Sequence, residues 1–166
     1  MEKFTPLLVL LMGLLFSQCQ RKTVPATPST PAETGTYGSD DRISLRTTAC
    51  FGRCPVFEFS IDGTGEAAFD GKRFTDRLGA HVRTFSAAET RALFDAFARV
   101  GYFDYADSYT DDMTDLPNRY LTYQRGERSK QIHLYANEPD ELRRLEQLVT
   151  RAALETRGWQ QAPEKR

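Results

Sequence analysis

From Arg42 onward the chain switches between two hydrophobic periods, and each switch marks a new element. Ile43, Leu45 and Thr47 fall on every second position, the period of a half-buried strand. Phe57, Phe59 and Ile61 repeat that pattern against Val56, Glu58 and Ser60. Asp62-Gly63-Thr64-Gly65 is a turn signature that joins this strand to Glu66–Phe69 as a hairpin, which Asp70-Gly71-Lys72 is expected to close. A fourth strand is expected from about Ala80 to Phe85. At Ser86 the period changes. Ser86-Ala87-Ala88-Glu89 has the capping-box form, Leu93, Phe94, Phe97 and Val100 recur at helical spacing, and Gly101 ends the helix.

Tyr102 to Pro117 has no period and is dense in aspartate. Two further strands, Asn118–Gln124 and Lys130–Tyr135, are joined by the short loop Arg125-Gly126-Glu127-Arg128. Asn137-Glu138-Pro139 opens a last helix, with proline near the first turn, where its missing N–H costs nothing. Leu142, Leu145, Leu148, Val149 and Ala152 form its apolar stripe. The order ββββ-α-ββ-α predicts an α+β domain, a mostly antiparallel sheet with two helices packed on one face. One domain over 42–160 is expected, followed by a polar tail over 161–166.

The N-terminal part reads differently. Phe4 to Phe16 is an apolar run too short for a span of about 20 residues, and it fits the core of a signal peptide over 1–18. Phe16-Ser17-Gln18-Cys19 resembles the lipobox of bacterial lipoproteins, which implies that Cys19 is lipidated and becomes the mature N-terminus. The alternative is an ordinary secretory peptide with an incidental cysteine. Residues 19–41 are rich in Pro, Thr, Ser and Ala and carry no periodicity, so they are expected to form a disordered linker. This layout predicts a protein of the bacterial cell envelope, on the periplasmic or outer-surface side, held to the membrane by an N-terminal lipid anchor.

Charge narrows the partners. The 166 residues carry a net charge of −1, and removing Glu2 and Lys3 with the leader leaves it unchanged. No basic surplus exists to neutralise phosphates, so nucleic acid is not an expected partner. Asp104, Asp107, Asp111, Asp112 and Asp115 invite a calcium reading, but their spacing lacks the glycine and register of an EF-hand loop. A solvated loop with aspartates capping its turns is expected instead. Ser, His and Asp occur without a nucleophile elbow or a Gly-rich phosphate loop, so a binding or structural module is favoured over an enzyme, with no cofactor.

The remaining chemistry lies in Cys50-Phe51-Gly52-Arg53-Cys54-Pro55. Gly52 can take φ > 0 to reverse the chain, and Pro55 directs it into the next strand, so Phe51, Gly52 and Pro55 are the expected loop-shaping residues. Three readings compete. A local disulfide suits an oxidising compartment and would contribute about 2 kcal/mol through loop closure. A copper site would use Cys50 and Cys54 with His81 or His133, since Cys-x3-Cys-Pro resembles the motif of copper-delivering thioredoxin-like proteins. A redox dithiol would use Arg53 to lower a thiol pKa. The disulfide ranks first.

Cys50, Phe51, Gly52, Cys54, Pro55 and Phe57, followed by Tyr109, Thr114, Asp115 and Pro117, resemble a domain family of unknown function. That family occurs in small bacterial envelope proteins, many of them lipoproteins. The resemblance spans about Ile43 to Trp159. It implies the envelope location and the fold, makes Tyr109, Thr114, Asp115 and Pro117 a candidate binding loop, and implies no catalytic role. The ligand, either an envelope protein or a small molecule, is left open.

Overall fold

The computed structural model describes residues 36–112 and 115–163; the apolar run, Cys19 and Thr114 lie outside them. At the centre, β1 (Arg42–Thr47) runs antiparallel between β2 (Val56–Asp62) and β6 (Arg119–Arg125). Outward on one side lie β3 (Glu66–Arg73) and β4 (Gly79–Thr84), and on the other β7 (Arg128–Leu134). α1 (Ala87–Arg99) and α2 (Asp140–Leu154) complete the expected ββββ-α-ββ-α order.

Two short edge strands extend the sheet beyond that expectation. β5 (Ser108–Tyr109) pairs parallel with β7, and β8 (Gln160–Gln161) pairs antiparallel with β4. The eight strands lie in the order β5-β7-β6-β1-β2-β3-β4-β8. The stretch read as a polar tail therefore begins inside the sheet, with the Ala162 N–H donating to the Ala80 carbonyl.

Alternation gives the sheet one apolar face. Ile43, Leu45, Phe57, Phe59, Ile61, Phe69, Leu121 and Ile132 share it, and the buried stripes of both helices pack there. Tyr123 of β6 touches Phe94 and Phe97 of α1 and Phe103 beyond it, which puts an aromatic cluster between the layers. Tyr102 closes that cluster. Its ring lies 5.1 Å from Phe97 and its hydroxyl donates to the Leu121 carbonyl at 2.7 Å. Burial drives the Tyr102 phenol far above its ordinary pKa, so it stays a neutral donor.

Caps and turns follow the sequence with informative exceptions. The capping box forms in full: Ser86 Oγ accepts from the Glu89 N–H, and Glu89 accepts from the Ser86 N–H. Pro139 is the N-cap of α2, next to its first turn as expected, whereas Leu148 and Ala152 of the expected stripe are half-buried while Glu146 and Ala153 are buried. β3 does not stop at Phe69. It runs through Gly71, where a Cβ would overlap the Arg77 carbonyl of the following turn.

The domain also starts earlier than 42. Asp41 is buried, accepting from the Arg125 guanidinium, the Gly126 N–H and the Gly38 N–H. Tyr37 packs against Phe94 with ring centroids 4.8 Å apart and lies under Arg125. Tyr37 to Asp41, read from the sequence as linker, are thus packed on the domain, where Gly63 admits the Gly38 backbone at a distance no Cβ would allow.

Candidate functional site

β1 delivers the chain to one end of the sheet, and there the two motif stretches meet. Cys50 and Cys54 are joined by a disulfide, their Cα atoms 5.8 Å apart. Thr47, the last residue of β1, holds the ring's exit: its hydroxyl donates to the Pro55 carbonyl at 2.8 Å and accepts from the Phe57 N–H at 3.1 Å. On the other side the Thr48 N–H donates to the Asn118 carbonyl, the Asn118 N–H to Thr48 Oγ1, and the Phe51 N–H to the Asp115 carbonyl at 3.4 Å. The Asp115–Asn118 part of the candidate binding loop and the cysteine loop are therefore neighbours in one end surface.

Within that surface the expected roles shift. Gly52 does not adopt a positive φ, so the reversal assigned to its conformational freedom is made without it. A Cβ there would meet nothing closer than the Cys50 sulfur at 3.7 Å. Phe51 does not pack to shape the loop; it stands 90 % exposed at the ring's apex. Pro55 leads into β2 as expected, through a register shift at Val56 and Phe57. Asp115 is exposed and Pro117 half-buried, while Tyr109 belongs to β5, where its carbonyl accepts from the Tyr135 and Ala136 N–H groups.

A neighbour the sequence did not single out completes the end. The β3–β4 turn brings Phe74 beside Arg53, whose guanidinium lies 5.3 Å from the ring centroid, with Arg73 on the same ring at 4.8 Å. Phe74 has φ = 55°, a left-handed conformation rare for a bulky residue and costing about 1–3 kcal/mol. Arg77 fixes this turn from below. It donates to the Ala153 and Leu154 carbonyls at 2.6 and 3.0 Å, capping the C-terminus of α2, and its guanidinium lies over Phe69 and Trp159. Phe74 and Leu78, on the same turn, are 41 % and 65 % exposed.

The histidines do not join this end as a pair. His81 pairs with Phe69 across β3 and β4 on the apolar face, whereas His133 pairs with Tyr120 on the open face. Four strands separate β4 from β7, about 24 Å at the usual strand spacing. A site built from Cys50, Cys54, His81 and His133 is thus not assembled, and both sulfurs are already bonded to each other. His133 is instead a member of a ladder on the open face. It stacks on Tyr120 at 4.9 Å, bonds Asn118 at 2.7 Å and lies 3.3 Å from Ser108, while Arg46 covers Tyr120 at 4.1 Å. Two aspartates of the acidic stretch have local partners. Asp107 pairs with Lys130 at 2.9 Å, and Asp111 accepts from Asn137 at 3.0 Å.

Chemically, this end offers three exposed apolar side chains, two arginines on an aromatic ring and a covalently closed loop. That combination suits docking. Among the described residues no cluster of three His, Cys, Asp or Glu side chains is arranged to hold a metal. The chain has no match among curated proteins. Residues 41–153, which contain both motif stretches and the apolar faces of the two helices, match the domain of unknown function DUF6438, and the chain belongs to that family.

Proposed function

We propose that this protein is a non-catalytic binding module of the bacterial cell envelope, lipid-anchored through Cys19, that recognises a protein partner with the disulfide-closed end of its sheet. The observation that carries the reading is Phe51, 90 % exposed at the apex of a ring closed by Cys50 and Cys54. Burying a phenylalanine is worth about 1.5–3 kcal/mol, so a ring that instead holds one in solvent stores that gain for a contact. Aromatic and arginine side chains dominate the centres of protein interfaces, and Phe51, Phe74, Arg53 and Arg73 supply both. The geometry of entry fits as well. Tyr37 to Asp41 pack beside the Gly63 and Gly126 turns, so the chain enters the domain at the end of β1 remote from the cysteine loop.

Two measurements test the proposal. Cys19→Ala should move the protein from the membrane to the soluble fraction; unchanged fractionation with no acyl mass on the wild type would remove the anchor. A photo-crosslinking phenylalanine analogue at position 51 should give one discrete adduct in intact cells and none when placed at Glu127, on the opposite turn. Equal labelling from both positions would remove the recognition end.

A further inference from the structure

We infer that the groove between α1 and α2 binds a small amphiphile with an anionic head and a single alkyl chain. The inference is independent of the docking end and stands or falls separately. The groove has a volume of about 270 Å³. Its floor is apolar, made by Ala96 and Val100 of α1 and Leu145 and Leu148 of α2. Ala96 contributes a small side chain to this floor, so a larger one there would reduce the open space.

Charge on the rim is strongly one-sided. Arg99, Arg144 and Arg151 border the floor, with Glu141 as the one carboxylate among its lining residues. All three arginines are exposed, and none is ion-paired to a carboxylate among the described residues, whereas Arg143 on the same helix is held by Glu138 and Asp140. Exposed guanidinium groups bordering an apolar floor match a carboxylate or phosphate head whose chain lies along that floor. The size fits such a ligand. At about 270 Å³ the groove is near the lower end of small-molecule sites, which begin at about 300 Å³, and a single alkyl chain can lie along its floor.

Calorimetric titration of the full chain carrying Cys19→Ala, with decanoate, decyl phosphate and decanol as probes, tests this. At least one of the two anions should bind at a single site, at least tenfold tighter than decanol, and affinity should rise roughly two- to fourfold per methylene along a shorter series. Arg144→Gln and Arg151→Gln, both at exposed positions, should each weaken the anion about tenfold and leave decanol unchanged. Ala96→Leu should remove binding. Preference between decanoate and decyl phosphate names the head group, carboxylate or lipid phosphate. Equal affinity for decanol and the anions, or no saturable binding, would overturn the inference. So would anion binding that survives all three substitutions, because the apolar N-terminal run is present in every variant and would then be the binder. An acidic amphipathic peptide that binds where neither anion does would also refute it.

Discussion

The Tyr37 hydroxyl donates to Asp95 Oδ1 at 2.7 Å, and that bond fastens the segment before β1 to the middle of α1. Burial and then the Asp95 carboxylate raise the Tyr37 phenol pKa well above its ordinary value, so the proton stays on the phenol as the donor. A chain starting at Arg42 loses this bond, the Tyr37–Phe94 ring contact and the buried Asp41 together. Urea unfolding should therefore show Tyr37→Phe destabilised by about 1 kcal/mol and the truncated chain by distinctly more. Identical midpoints for the truncated and longer chains would mean that the segment contributes nothing.

What the sequence revealed and what it hid divide along physical lines. The capping box of Ser86 and Glu89 was legible because both partners lie within one turn of each other. The faces of β1, β2, β6 and β7 were legible because a two-residue period over six or seven positions admits one assignment. Gly71 misled, since a glycine demanded inside a strand by the close approach of the next turn's Arg77 carbonyl looks the same in sequence as one demanded by a turn of its own. β5 and β8 are two residues each and carry no pattern; neighbouring strand edges create them. At the candidate site the cysteine ring was readable, whereas Phe74 was not. Its turn is held by Arg77, which reaches the end of a helix far along the chain.

Arg119 is the next residue to test. From β6 it reaches Glu138 at 3.2 Å and Glu146 at 3.5 Å, carboxylates that are each 6 % exposed. Removing Arg119 leaves buried Glu146 without its ion partner, although Glu138 keeps Arg143, and breaking a buried pair costs about 3–5 kcal/mol. Arg119→Leu should lose that much in urea unfolding, and Arg119→Leu with Glu146→Leu should recover part of it. A double variant no better than the single would show that the network is not coupled.

Glu89 gives a pH signature. Hydrogen bonds from the Ser86 side chain and backbone, then from Arg83, lower its pKa from 4.5 to about 2. A carboxyl depressed by folding contributes stability above its unfolded pKa and loses it as pH falls through the folded one. The gap between wild type and Glu89→Gln should be fully present at pH 6 and vanish between pH 4.5 and 2. Because the side chain is largely solvated, the gap should be under about 1 kcal/mol. A gap that persists unchanged at pH 2 would contradict the assignment.

The disulfide closes a small ring, so its loss should be mild: Cys50→Ser is expected to cost about 2 kcal/mol or less. Its larger effect should fall on the loop, releasing the Phe51 N–H from the Asp115 carbonyl. Hydrogen exchange at Phe51 should accelerate more than at any residue of β1. Two alkylated cysteines in protein taken from the envelope without reductant would refute the bond itself.

Phe74 separates presentation from stability. Its left-handed backbone costs about 1–3 kcal/mol, which glycine would relieve at the expense of a more mobile unfolded chain and of the contacts with Arg53 and Arg73. These terms oppose each other, so Phe74→Gly should leave the melting free energy within about 1 kcal/mol of wild type. A docking end should behave otherwise, because a buried aromatic anchor carries about 2 kcal/mol or more of binding energy. The variant should therefore lose the discrete adduct formed from position 51 while keeping its melting temperature. If the adduct persists at wild-type yield, the arginine-flanked ring is a structural accident of the turn, and recognition must rest on the cysteine loop and the Asp115–Asn118 strip alone.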